Sequence, residues 1–426
     1  MNKLVNRIFF AALLTMLFLS AGAAENNAVD LKKLSFFCTT NKSALSYREN
    51  EEMVFKFTAD FAGQSPKGYF LAYTRKGDDG KEFSGRGDAA QPLIVKTSLA
   101  KPGFVSVTVN LVNDKGEVQK VAFQAGAAVK PVSLNDCGEP RDFDEFWAKQ
   151  LAKLKAVPFI GKTSEKLVYE NNDIKVYAVS IPCVGRPATG YMTIPVNAAP
   201  RSLPVEIVFD GYGAFKQEMP KTGPRDRVIL RLNAHGQDLG RDAEYYRVFF
   251  NSTCSRGHAY AKDPEQNKDP ETAYFHGMLL RALRAAEYLK TRPEWDGKNL
   301  EACGTSQGGL QTVWLAALDP DVTSVVIQVV WACDLAGSLK KGRLTGGSLE
   351  YSPGLDYYDA VFMAKRIKNT KVEIRRAGLC DYVSPPSGLA ILYKNLATPK
   401  KSIKWVQGGD HYIVDAGAES ILWTTY

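Results

Sequence analysis

The sequence predicts an α/β protein with a mostly parallel, doubly wound sheet, preceded by a small all-β sandwich of immunoglobulin-like type. Its 426 residues exceed what one compact core usually holds. Short alternating strands fill roughly the first third of the chain, whereas helical segments separate the later strands. We therefore expect a leader at 1–23, a sandwich at 27–132 and an α/β domain at 133–426.

The leader prediction rests on the first 23 residues. Lys3 and Arg7 precede an apolar run over 8–19, and Ala21-Gly22-Ala23 supplies a small-residue cleavage site. The apolar run is too short for a comfortable membrane span, and no later segment is long and apolar enough for one. We expect a periplasmic or secreted protein without a membrane span.

Composition argues against a nucleic-acid-binding surface and against a zinc site. The net charge is +8, but 54 Lys and Arg are scattered among 46 acids, which indicates a mixed surface rather than a nucleic-acid footprint. The seven cysteines form no C-x-x-C pair, so a zinc site is not expected.

The sandwich prediction comes from alternating residues and turns. Residues 53–57, 69–74 and 104–112 read as strands, and 104–112 places valines and a leucine on one face. The turns GDDG (77–80) and NDKG (113–116) suit hairpins. A structural spacer is the simplest role for this domain, with carbohydrate binding as the alternative.

The second domain begins with an amphipathic helix from about residue 143. Buried strands follow at 204–213 and 227–236, and a long helix is predicted to begin at Asp269 as N-cap with Pro270 in its first turn. Further strands are predicted at 299–304, 324–330, 371–378 and 402–406, with a helix at 307–318. This alternation is typical of a mostly parallel sheet covered on both faces.

The sequence GTSQGG (304–309) carries the strongest chemical signal. It places Ser306 in a G-x-S-x-G pattern, directly after a short apolar strand and directly before a helix. That context predicts a nucleophile elbow, where small neighbours tolerate a strained serine and the helix N-terminus favours an anion. The alternative is an idle serine in a glycine-rich turn.

A nucleophilic serine needs a base and an acid. Of four histidines only His411 follows Ser306, and it comes just after the last predicted strand. The order nucleophile, acid, histidine points to Asp381, which follows a strand and precedes a proline-started helix. Asp334 is the main alternative. Asp410 is geometrically poor, because adjacent residues rarely fold back onto each other's side chains.

Other residues are candidates for the oxyanion hole and the pocket. The backbone N–H of Gln307 follows the nucleophile, and the N–H of Tyr212 lies in the loop DGYG after an earlier strand. His235 and Trp331 each follow a strand. For both, lining the pocket and packing in the interior remain open.

The chain from about Arg141 resembles the acetyl xylan esterase and cephalosporin-C deacetylase family (carbohydrate esterase family seven). The resemblance is carried by RDFDEFW, GYMTIPV, DGYG, HGQ, GTSQGG and the terminal acid and histidine. It implies an α/β-hydrolase fold, deacetylation of short acyl esters on sugars and frequent oligomerisation. It also implies catalytic roles for Ser306, Asp381 and His411. The chain departs from the family in having HGQ for RGQ and Tyr412 for a glutamate.

We therefore expect a serine esterase acting on acetylated xylan or xylo-oligosaccharides through an acetyl-enzyme, as a homo-oligomer if it follows the family. No metal or organic cofactor is expected. The alternatives are a peptidase or longer-chain carboxylesterase on the same fold, or a non-catalytic carbohydrate-binding protein.

Overall fold

A computed structural model describes residues 29–344, 346, 349–412 and 420–425. The predicted signal peptide at 1–23 lies outside the described residues.

The N-terminal region is a sandwich of two antiparallel sheets. Its strands within the described residues are β1 (Ser35–Thr40), β2 (Met53–Asp60), β3 (Tyr69–Gly77), β4 (Glu82–Asp88), β5 (Leu93–Thr97), β6 (Gly103–Asn113) and β7 (Val118–Val129). The orders β1-β2-β5 and β4-β3-β6-β7 match the two sheets of immunoglobulin-like folds. Phe55 and Val95 from one sheet meet Leu71 and Val107 from the other in one core, as the alternating pattern predicts.

The larger sheet follows in the chain. Its described strands are β8 (Ser164–Glu170), β9 (Ile174–Ile181), β10 (Ala188–Pro195), β11 (Leu203–Phe209), β12 (Val228–Asn233), β13 (Trp295–Ser306), β14 (Val322–Val330), β15 (Lys371–Gly378), β16 (Lys401–Val406) and β17 (Ser420–Thr425). The order is β17-β16-β15-β14-β13-β11-β12-β10-β9-β8. The run from β12 to β16 is parallel, and antiparallel strands close both ends. The predicted, mostly parallel α/β sheet is confirmed.

Helices cover this sheet. Those described are α1 (Phe143–Lys155), α2 (Ala243–Thr253), α3 (Tyr274–Leu289), α4 (Gln307–Leu318), α5 (Gly337–Lys341), α6 (Ala360–Met363) and α7 (Pro386–Asn395). None is long and apolar enough to cross a bilayer, in the part of the chain that the structure describes.

The predicted start of the long helix is wrong. Asp269 does not cap α3; its carbonyl accepts hydrogen bonds from the N–H groups of Thr272 and Ala273 in a separate turn. Ala273 then has ψ 136°, an extended value that interrupts the helical path, and α3 begins at Tyr274. The Asp-Pro pair therefore starts a turn that stops short of the helix.

The two regions pack directly against each other. Phe104 and Ala128 of the sandwich belong to the same buried cluster as Trp405 of β16, and the rings of Phe104 and Trp405 lie 5.5 Å apart. The Asp78 carboxylate, also in the sandwich, accepts a hydrogen bond from the Leu344 N–H at 2.8 Å. The predicted boundary between residues 132 and 133 falls in the connection between β7 and α1.

Candidate active site

The turn between β13 and α4 presents Ser306 at the carboxyl end of β13, an interior strand of the parallel run. β13 passes into α4 without a loop, and Ser306 has φ 58° and ψ −113°, a strained conformation for a residue with a side chain. A Cβ on Gly304 would lie 2.3 Å from the Gly308 backbone, and one on Gly308 would lie 2.3 Å from the Phe209 carbonyl oxygen. Only glycine fits at these two positions, which explains the G-x-S-x-G spacing.

His411 lies between Ser306 and Asp381. Its Nε2 is 2.9 Å from Ser306 Oγ, and its Nδ1 is 3.0 Å from Asp381 Oδ2. The other Asp381 oxygen accepts hydrogen bonds from the N–H groups of Val383 at 2.8 Å and Ser384 at 2.7 Å. These contacts fix the carboxylate so that one oxygen faces the imidazole. Three side chains far apart in the sequence thus form one hydrogen-bonded row.

The two alternative acids lie elsewhere. The Asp334 carboxylate pairs with the Arg343 guanidinium, and burial raises the pKa of Asp334 to about 6. Asp410 accepts a hydrogen bond from the Tyr412 N–H at 2.7 Å. Among the three carboxylates that the sequence offered, Asp381 is the one hydrogen-bonded to His411.

The DGYG loop lies beside the elbow. A Cβ on Gly211 would be 3.8 Å from the Thr305 carbonyl oxygen. Asp210 anchors the start of the loop through hydrogen bonds to Arg231 of β12, the shortest at 2.7 Å. The backbone of Tyr212 is therefore held close to the N-terminus of α4, where the Gln307 N–H begins the helix.

His235 supports this loop from behind rather than lining an open pocket. It is 1% exposed. Its Nε2 lies 3.1 Å from the Gly213 carbonyl oxygen and its Nδ1 lies 2.9 Å from the Tyr274 hydroxyl. Burial lowers the pKa of His235 to about 4, so the ring is neutral at neutral pH.

Trp331 is also mostly a packing residue. It is 3% exposed, and its ring contacts those of Tyr212 at 5.0 Å and Phe275 at 5.6 Å. The backbone N–H of Trp331 donates to the Ser306 carbonyl oxygen at 3.1 Å. Trp331 also lines a small cavity together with Val383, and the described lining of that cavity does not include Ser306 or His411. The burial and ring contacts of Trp331 support packing in the interior, and a role in lining the substrate pocket stays a prediction.

Sequence reasoning missed Tyr260. Its hydroxyl accepts a hydrogen bond from the Gly213 N–H and donates one to the Gln307 side chain, both at 2.7 Å. Its ring stacks on Tyr212 with centroids 4.5 Å apart. Tyr260 thus joins the DGYG loop to the elbow. It lies in an irregular segment between α2 and α3 with no periodic pattern, so no local sequence pattern pointed to it.

Two exposed tyrosines at the site were also not predicted. Tyr382 follows Asp381 and is 55% exposed, and Tyr412 follows His411 and is 68% exposed. Their ring centroids are 6.3 Å apart. They form an aromatic pair on the solvent side of the acid and histidine. Within the described residues, no group of His, Cys, Asp and Glu has the arrangement of a metal site.

Comparison with known proteins shows which family the chain is similar to. Residues 135–341 match the model of the acetyl xylan esterase (AXE1) family. This span contains Ser306 and Tyr212 but ends before Asp381 and His411. The chain is also 27% identical over 322 residues to the acetyl esterase Axe7A of Xylanibacter ruminicola, covering 72% of this chain and 70% of that protein.

Solved structures agree with the fold. The acetyl xylan esterase from Paenibacillus sp. R4 superposes with a TM-score of 0.56 at 23% identity. Acetyl xylan esterase 1 from Thermoanaerobacterium sp. JW/SL YS485 gives 0.53, also at 23% identity. Each match covers 67% of this chain and 94% of the other. The resemblance noted in the sequence is confirmed: the chain is similar to the acetyl xylan esterase family over residues 135–341, and it is a carboxylic ester hydrolase.

Proposed function

We propose that the chain is an exported serine esterase that removes acetyl groups from acetylated xylan or xylo-oligosaccharides, with Ser306, His411 and Asp381 as its catalytic triad. One observation carries the proposal: His411 lies within hydrogen-bond distance of both Ser306 and Asp381, through opposite ring nitrogens. This is the arrangement that serine hydrolases need.

In the first half of the reaction, Ser306 Oγ attacks the acetyl carbonyl carbon while His411 Nε2 takes the hydroxyl proton. Asp381 accepts the hydrogen bond from Nδ1–H and stabilises the imidazolium that forms. The N–H groups of Tyr212 and Gln307 donate to the oxyanion, and each such donor typically contributes about 10²–10³-fold to turnover. The imidazolium then protonates the sugar oxygen, and the alcohol leaves.

In the second half, water attacks the acetyl-enzyme. His411 removes a proton from the water, the C–O bond to Ser306 breaks, and the proton returns to Ser306 Oγ. Acetate leaves and the free enzyme is restored. Apart from the substrate and one water molecule, each step uses side chains and backbone groups of this chain.

The sugar substrate is supported by two independent features. The family and the relative named above act, by name, on acetyl xylan and acetyl esters. The exposed pair Tyr382 and Tyr412 offers flat apolar surface next to His411, which suits the apolar face of a sugar ring. Export is supported by the predicted signal peptide at 1–23.

The test is acetate release from acetylated xylo-oligosaccharides, with p-nitrophenyl esters of increasing chain length and peptide amides for comparison. We expect Ser306→Ala to lower turnover by about 10⁴-fold or more and to remain folded. A variant that still releases acetate at the parental rate would contradict the triad. Faster cleavage of long-chain esters or peptides would favour the other hydrolase classes. No labelling of Ser306 by a fluorophosphonate would favour a non-catalytic binding protein.

The aromatic pair allows a test of the sugar substrate. Tyr382→Ala should raise KM for an acetylated xylo-oligosaccharide by roughly 3- to 10-fold, since about 1 kcal/mol of apolar contact is lost. KM for p-nitrophenyl acetate should stay unchanged. Phe37→Ala is the matched control, because Phe37 is equally exposed at 55% but lies on β1 of the sandwich. Equal KM values for the glycan in both variants would exclude a role for Tyr382 in sugar binding.

A further inference from the structure

Two short segments carry the acid and the histidine, and they lie against each other. Leu379–Asp381 follows β15, and Gln407–His411 follows β16. A Cβ on Gly378 would lie 2.5 Å from the Gly409 carbonyl oxygen, and the Leu379 N–H donates to the Val406 carbonyl oxygen at 3.0 Å. A displacement of either segment would therefore change the contact between Asp381 and His411.

The sandwich holds the histidine segment through Gln407. The Gly126 N–H donates to Gln407 Oε1 at 2.8 Å, and Gln407 Nε2 donates to the Gly126 carbonyl oxygen at 2.9 Å. Gln407 is 5% exposed. β7 is an edge strand of its sheet, so the side-chain amide pairs with backbone groups that an edge would otherwise leave open. Two buried hydrogen bonds fix both the position and the rotamer of Gln407.

The acid segment is held by the same strand and its neighbour. A Cβ on Gly126 would lie 2.1 Å from the Leu379 carbonyl oxygen, so the β7 backbone packs directly on the residue two before Asp381. Thr108 of β6 contacts the Cys380 thiol, with 3.7 Å between Oγ1 and Sγ. On the histidine side, a Cβ on Gly408 would lie 2.9 Å from the Phe123 ring. The sandwich therefore contacts both catalytic segments within four residues of the catalytic side chain.

We propose that the sandwich is a positioning element of the esterase site, with Gln407 and Gly126 as its positioning residues; this rests on the catalytic roles proposed above. Loops at strand ends are usually the mobile part of a fold. A displacement of 1 Å in a catalytic group can cost about 10²-fold in rate. Here β6 and β7 fix the two loops from outside the α/β sheet. The spacer role considered from the sequence does not account for these contacts.

The test uses the full-length protein and two substitutions. Gln407→Met keeps the length of the side chain and removes both hydrogen bonds, and Gly126→Ala places a methyl group against Leu379. We expect kcat for p-nitrophenyl acetate to fall about 10-fold or more, with KM changed less than about twofold. Rates are measured well below each variant's unfolding midpoint, so that a mere loss of stability leaves kcat unchanged.

Matched controls lie in the same sheet. Gly87→Ala in β4 places a methyl group 3.3 Å from the flexible end of Leu93. Gln119→Ala, at the other end of β7, removes an amide that donates to the Glu117 carbonyl oxygen. Both controls should keep the parental kcat. Parental kcat in Gln407→Met would overturn the inference, and Gly126→Ala repeats the test if Gln407→Met does not fold. A parent protein without any turnover would overturn the proposed function as well.

Discussion

At the scale of single residues, the identity of the acid depends on which carboxylate is free to face His411. Asp381 uses one oxygen for two backbone N–H groups and the other for the imidazole. The Asp334 carboxylate instead forms a buried ion pair with the Arg343 guanidinium. Both follow a strand of the same sheet, so position in the sequence favoured Asp381 but left Asp334 as an alternative.

This difference gives a prediction with a built-in control. Asp381→Asn should lower kcat by about 10⁴-fold, because the amide no longer stabilises the imidazolium and favours the wrong tautomer. Asp334→Asn should keep near-parental kcat but lose about 3 kcal/mol of unfolding free energy, because Arg343 is left buried without its counter-charge. Steady-state kinetics and urea unfolding of both variants check this. The reverse pattern would make Asp334 the acid.

At the scale of elements, the proposed oxyanion site depends on a loop held from two sides. The Tyr260 hydroxyl accepts a hydrogen bond from the Gly213 N–H, and His235 Nε2 is hydrogen-bonded to the Gly213 carbonyl oxygen. The peptide that follows Tyr212 is thereby fixed. Since preorganised donors account for much of the rate of such enzymes, the loop's supports are part of how the site works.

Tyr260→Phe tests this support. Removing the hydroxyl frees the Gly213 N–H and the Gln307 side chain, so we expect kcat to fall about 10-fold, less than the loss of a donor itself, with KM little changed. Tyr246→Phe is the control: its hydroxyl is also buried, but donates to the Asp238 carbonyl oxygen away from the elbow. Equal kcat in the two variants would show that Tyr260 has no positioning role.

The sequence predicted the existence of helices and strands better than helix ends and contacts between distant segments. The periodicity of apolar residues and the positions of turn residues predicted the strands of the sandwich and the strand–helix–strand setting of Ser306. Such elements depend on residues that are neighbours in the chain. The start of α3 was predicted wrongly, because the extended backbone at Ala273 interrupts the helix and no local sequence pattern indicates this. Tyr260 and the contact between Gln407 and Gly126 were missed because they depend on packing between segments that are distant in sequence.

At the scale of the whole molecule, the sandwich and the α/β region share buried surface. Phe104 and Ala128 lie in the core of the larger region. The face of β6 opposite its valines contacts Cys380 of the α/β region through Thr108. The alternation of residues over 104–112 indicated which side chains share the valine face, but it could not indicate that another part of the chain covers the opposite face.

We therefore expect the two regions to unfold together. Scanning calorimetry of the full chain should give one transition whose calorimetric and van't Hoff enthalpies agree. Gln407→Met should lower the midpoint of that single transition without splitting it. Two well-separated transitions in the parent protein would instead mean that the sandwich folds and melts by itself, and that the shared core contributes little.

The pairing of Gly126 with Gln407 joins positions 281 residues apart, which has a consequence for biogenesis. During synthesis the sandwich is made before the segment that covers the edge of β7, because that segment follows β16 in the chain. Until then that edge is open to other partners. Hydrolysis can begin only once the late strands have docked, so a nascent or truncated chain should be inert even though it already contains Ser306.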